Sequence, residues 1–158
     1  MGYTHYYRRE AILDKETFKL FVKDVKRIMQ MAKFLDVKLA GPFGEGGTKP
    51  IVNASKISFN GFGEDSHETL CIPRRKTRQN LHSSDTLIFD FCKTARKPYD
   101  RIAVAVLVAF KHHFPGSKIS SDGDEDAFEL GKNICQLLFG YGNNVNIIEE
   151  EEAEGDVY

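Results

Sequence analysis

Nine consecutive apolar residues, Ile102 to Phe110, constrain this chain more than any other stretch. A run without a polar position has no hydrophobic period, so helix and strand must be told apart by flanks and length. Pro98 and Asp100 precede the run as a helix start would. Lys111-His112-His113 follow as a helix end would, and Phe114-Pro115-Gly116 stops it. The sequence therefore predicts a helix over 98–113 that is apolar on every face and buried; a central strand over 102–110 is the competing assignment. At nine residues the run is well short of the ~20 that a membrane-spanning helix needs, so no membrane partner is expected.

Two further helices have a clear apolar face. Asp14 is a good N-cap, and Phe18, Phe21, Val22, Val25, Ile28, Met29 and Ala32 recur with helical spacing over 15–34. The opposite face carries Lys19, Lys23, Lys26, Arg27 and Lys33 and reads as solvated. Ala127, Leu130, Ile134, Leu137, Leu138 and Tyr141 mark a helix over 125–139, with Asp124 as its cap. Strand character appears at residues 3–9, 57–61, 67–72, 87–93 and 118–121. The expected fold class is α+β: one domain over residues 1–145, a mixed, largely antiparallel sheet covered by three helices. Residues 41–50 are glycine-rich but lack the Gly-Lys-Ser/Thr ending of a phosphate loop, so they read as a flexible loop.

Charge is uneven. The whole chain carries 22 Lys and Arg against 23 Asp and Glu, yet six of the acids fall in residues 149–158. Residues 1–148 therefore hold 22 bases against 17 acids, a net of +5. Residues 146–158 are expected to be a disordered acidic tail. Cys71, Cys92 and Cys135 are odd in number and show no Cys-x-x-Cys spacing. They suggest neither a disulfide framework nor a zinc site, and a cytoplasmic location is expected.

Four clusters could carry chemistry. Residues 61–68 place Glu64, Asp65, His67 and Glu68 between two strands, where carboxylates and an imidazole could bind a ligand or a divalent cation. Residues 91–100 join an apolar strand to a Pro-started helix, and Lys93, Thr94, Arg96 and Lys97 would receive an anion at that helix N-terminus. Asp100, in the first turn, would compete with that anion unless it caps or pairs. Cys92 would need a nearby base to act as a nucleophile. Ser120, Ser121 and Asp122, with Asp124, gather hydroxyls and carboxylates at another strand end. Tyr3, His5 and Tyr7 alternate onto one strand face, where aromatics can stack on a base or sugar. His112 and His113 need only the helix dipole as explanation.

Several of these stretches resemble a family of small uncharacterised phage and bacterial proteins. The shared pieces are Gly2–Tyr6, Phe59–Gly61 with Glu64–Thr69, Phe89–Asp100 and Ser120–Asp124. The resemblance implies a small intracellular, often phage-borne protein, which would place it in the host cell cytoplasm, and it implies no substrate.

The mixture of cations, hydroxyls, carboxylates and tyrosines suits a phosphate-containing, nucleotide-like ligand. Its binding residues would be Tyr3, His5, His67, Glu68, Lys93, Thr94, Arg96, Lys97, Ser120, Ser121 and Asp122, with no cofactor. Sequestration of a host signalling nucleotide would fit a phage setting. The rival is a metal-dependent hydrolase or nuclease with His67, Glu68, Asp122 and Asp124 around a divalent metal. A third reading is a protein-binding inhibitor that uses the acidic tail. Nucleic acid is not an expected partner, because +5 is modest and the aromatics lie outside the basic segment 74–80. A homo-oligomer is compatible with the sequence.

Overall fold

The computed structural model describes residues 3–77, 87–123 and 125–147. In chain order the elements are β1 (Thr4–Arg9), α1 (Lys15–Phe34), β2 (Leu39–Ala40), β3 (Ile51–Val52), β4 (Lys56–Gly61), β5 (Leu70–Pro73), β6 (Ile88–Lys93), α2 (Asp100–His113), β7 (Lys118–Ser121) and α3 (Glu129–Phe139). A short 3-10 helix, Glu125–Phe128, leads into α3. The fold is α+β, with sheet packed against helices. The expected tail over 146–158 and the proposed cap Asp124 fall mostly or wholly outside the described residues.

The nine-residue run is helical, and each of its residues is at most 1% exposed. Burying one Val, Leu, Ile or Phe side chain contributes roughly 1.5–3 kcal/mol, so this helix is the centre of the core. Phe110 packs edge-on against Tyr7 of β1 and against Phe21 of α1. Helix α3 comes close on another side at Gly131, where an added Cβ would lie 2.7 Å from the Val104 carbonyl carbon. Any larger residue would push the two helices apart. Helix α1 starts where Asp14 accepts hydrogen bonds from the Thr17 N–H (2.9 Å) and hydroxyl (2.8 Å). Helix α3 ends at Gly140, whose φ of 79° is left-handed.

The strands form two antiparallel sheets rather than one. In the first, β1 is central: His5 faces Cys92 of β6 and Ser121 of β7. In the second, β4 pairs with β2, β3 and β5. The chain beyond β1 joins them, since Leu13 N–H donates to Arg74 O and Lys76 N–H to Ala11 O. Arg9 is fully buried at this seam. Its guanidinium donates to the carbonyls of Pro73, Arg74 (3.1 Å) and Ala11 (3.4 Å), and desolvation lowers its pKa. Among the described residues no helix is long and apolar enough to cross a membrane.

Candidate functional site

Strand alternation turns Tyr3, His5 and Tyr7 inward together, Tyr3 and His5 toward the start of α2 and Tyr7 onto Phe110 near its end. His5 is fully buried and both ring nitrogens are engaged. Nε2 lies 2.5 Å from Asp100 Oδ1, and Nδ1 lies 2.9 Å from Ser121 Oγ. Thr94, also buried, donates its hydroxyl to the same Asp100 oxygen at 2.6 Å. Asp100 therefore pairs with the fold's own donors. The first α2 amides are also engaged: Asp100 N–H donates to Lys97 O, and Ile102 and Ala103 N–H to Tyr99 O.

Hydroxyl, imidazole and carboxylate stand in a row here, which is the order of a nucleophilic triad. Burial argues against that chemistry. Ser121 is 1% exposed, its oxygen accepts from Gly123 N–H (3.1 Å), and its hydroxyl reaches Thr4 O (3.3 Å). No substrate atom has room beside it, so in this conformation the row is a clamp between β1, β7 and α2. Cys92 is fully buried, and burial, then the Glu68 charge, pushes its thiol up to about 12, which disfavours the reactive thiolate.

The other sequence candidates divide into small groups. Arg96 is exposed, with its guanidinium carbon 3.9 Å from the Tyr3 ring centroid, a cation–π contact. Burial, then the Asp100 charge, raises the pKa of Tyr3. Ala95 and Arg96 have φ of 52° and 58°, a left-handed pair held where Thr94 and Ala95 N–H donate to Tyr3 O. Lys93 is exposed and Lys97 half-buried. Glu68 accepts the Lys93 N–H at 2.8 Å. His67 is exposed, and its backbone is fixed by Asn60. Asp122 accepts from Thr4 N–H (3.1 Å) and from the Tyr6 hydroxyl (2.7 Å), while Ser120 is buried in β7. The structure thus joins His5, Thr94 and Ser121, joins Tyr3 to Arg96, and joins Glu68 to Lys93. Among the described residues no three His, Cys, Asp or Glu side chains are placed to hold a metal ion.

A cleft of about 760 Å³ opens elsewhere, between α1 and residues 36–52. Its walls include Met29, Val37, Leu39, Val52 and Phe62, and four lysines line it: Lys26, Lys33, Lys38 and Lys49. Asp36 is its one acid. Lys38 Nζ sits 5.7 Å from the Phe62 ring centroid. Lys26 and Lys33 are exposed, in keeping with the solvated reading of the basic α1 face, and they also line this open cleft beside Lys38 and Lys49. Their one-heptad spacing was the visible signal; nothing local announced Lys38 and Lys49 as their neighbours. The glycine-rich loop that carries Lys49 is hydrogen-bonded to itself, with Gly44 N–H donating to Gly41 O and Gly41 N–H to the Thr48 hydroxyl.

Comparison with family models, with curated proteins and with solved structures finds no match for this chain. What fold and geometry define is an α+β domain with a closed polar clamp at one end of its central helix and an open, lysine-lined cleft against α1.

Proposed function

We propose that this protein binds a small phosphate-containing, nucleotide-like ligand in the cleft between α1 and residues 36–52. The observation that carries the reading is the convergence of Lys26, Lys33, Lys38 and Lys49, from three separate segments, on one apolar-walled cavity. Four cations against one acid favour a polyanion, and Phe62 with the aliphatic wall offers a face for a base or other flat apolar group. A role in sequestering a signalling nucleotide is the proposed use, and the ligand should return intact after heat denaturation.

Isothermal titration of the full chain with nucleoside mono-, di- and cyclic phosphates tests this. Wild type should bind at least one of them, and Lys38→Glu/Lys49→Glu should weaken binding by tenfold or more, as expected when hydrogen bonds to a charged group are lost at about 1.5–3 kcal/mol. Arg96→Ala should leave affinity within about twofold. Absence of binding at millimolar ligand, or loss in Arg96→Ala with retention in the double lysine variant, overturns the assignment.

A further inference from the structure

The outward face of the β6–β1–β7 sheet carries a row of aromatic rings. Cross-strand neighbours in an antiparallel pair share a face, and the register sets Tyr6 opposite Phe91, Arg8 opposite Phe89 and Thr4 opposite Lys93. Tyr6 and Phe89 stack with centroids 6.0 Å apart, and Phe89 and Phe91 lie 6.1 Å apart. Both phenylalanines are 43% exposed, although the strand could have placed polar residues there. Cations surround the row. The Arg8 guanidinium carbon sits 5.1 Å from the Phe89 centroid, Lys93 is exposed two positions after Phe91, and Lys118 faces Arg8 from β7. The acids nearby are engaged by the fold: Asp122 accepts from Thr4 N–H and the Tyr6 hydroxyl, Glu68 from Lys93 N–H (2.8 Å), and Asp90 from Phe91 N–H (2.8 Å) while it pairs with Lys76.

We infer that this sheet face binds single-stranded nucleic acid, stacking two or three bases on Phe89, Phe91 and Tyr6 while Arg8 and Lys93 meet the phosphates. Exposed rings on a flat sheet offer π faces that every base can use, and flanking cations track the backbone. Charge decides against a second copy as occupant. Two such faces pressed together would set Arg8, Lys93 and Lys118 against one another. Nucleic acid was not expected from sequence because the basic segment 74–80 holds no aromatic. The pairing of β6 with β1 is what brings rings and cations together.

The test is fluorescence anisotropy of the full chain with labelled oligo-dT and oligo-U of about twelve nucleotides at low salt, which separates DNA from RNA as the strand preferred. Wild type should bind at least one, more weakly as salt rises. Phe91→Ala should weaken binding about fivefold or more, and Phe89→Ala/Phe91→Ala should do so further. Phe91→Tyr, which keeps the π face, should bind within about twofold of wild type, whereas Phe91→Leu, which keeps only apolar area, should bind like Phe91→Ala. Lys93→Gln should lower the salt slope by about 0.7. Phe43→Ala, at an exposed phenylalanine away from this sheet, and Lys38→Glu/Lys49→Glu in the cleft should leave oligonucleotide binding unchanged, so this inference and the cleft reading fail separately. If the double alanine variant does not fold, the Tyr and Leu variants decide. Absence of binding, equal binding by Phe91→Leu and wild type, or a dimer on gel filtration that Phe91→Ala dissociates would overturn the inference.

Discussion

The two ends of α2 are each held by a carboxylate, an imidazole and a hydroxyl, but the helix contributes a different member at each. At its N-terminal end α2 supplies the carboxylate, Asp100, to His5 of β1 and to Thr94. At its C-terminal end it supplies the imidazole, His113, whose Nε2 lies 2.8 Å from Asp24 Oδ2 on α1; the Tyr141 hydroxyl donates to the same oxygen at 2.6 Å. The helix dipole favours an anion such as Asp100 in the first turn. The clamps also differ in what they join. The first ties helix to sheet, with His5 fully buried and Asp100 19% exposed; the second ties α1, α2 and the residue that follows the α3 cap, with His113 13% and Asp24 17% exposed, so the two differ in the burial of the imidazole. Equivalent chemistry should therefore contribute unequally to stability.

The largest effect should come from His5→Ala, which leaves Asp100 with only the Thr94 hydroxyl and takes from Ser121 its imidazole partner, both in a buried place. A loss of about 3 kcal/mol is expected, read from denaturant midpoints at unchanged m-value. Asp24→Ala removes the acceptor of both His113 and Tyr141, where the imidazole left behind is partly exposed to water, and about 2 kcal/mol should be lost in the same assay. Equal losses in the two variants would remove the asymmetry argued above.

A smaller effect concerns pH. His112 stacks flat on Tyr141 with centroids 3.6 Å apart, and burial followed by the neighbouring His113 lowers its pKa from 6.5. The unfolded chain then takes up its proton at a higher pH than the folded chain does. Stability from this group is full above 6.5 and falls as pH drops through the lower folded value. His112→Asn should remove that dependence, seen as a shift of under about 2 °C in melting temperature between pH 7 and 5.5. The smallest effect leaves stability untouched. Cys71, partly exposed, should react first with a thiol reagent in the native protein. Cys92 and Cys135, both buried and both pushed up to about 12, should react only on unfolding. Fast labelling of Cys92 would mean that the end of the sheet beside the His5 clamp opens readily.

Much of the fold was legible because it is written locally. Asp14 and the Phe18-to-Ala32 spacing define α1 as it stands, and the flanks of 102–110 identify a helix although its interior has no period. The two-residue strands β2 and β3 are shorter than any pattern can register. The division into two sheets is also invisible locally, since it depends on which partner each strand finds. The sequence marks His5, Thr94 and Ser121 as candidate ligand-binding residues; that Asp100 gathers His5 and Thr94 into a buried clamp with Ser121 rests on contact with a histidine 95 positions away. The cleft has no local signal, because Lys26 and Lys33 meet Lys38 and Lys49 only where residues 36–52 line up beside α1.

The central place of β1 in its sheet has a consequence in time. Thr4 O is bonded by a residue 117 positions later. At about 5–20 residues per second of synthesis, β1 must wait roughly 6–23 s on the ribosome before β7 can reach it. Through that interval an aromatic strand has an unpaired edge, the condition under which nascent chains associate with one another. Arg8 and Arg9 sit at its end, where charge acts as a gatekeeper against such pairing. One of them is then withdrawn into the seam between the sheets, so a residue that guards the strand during synthesis becomes part of the interior once the fold closes.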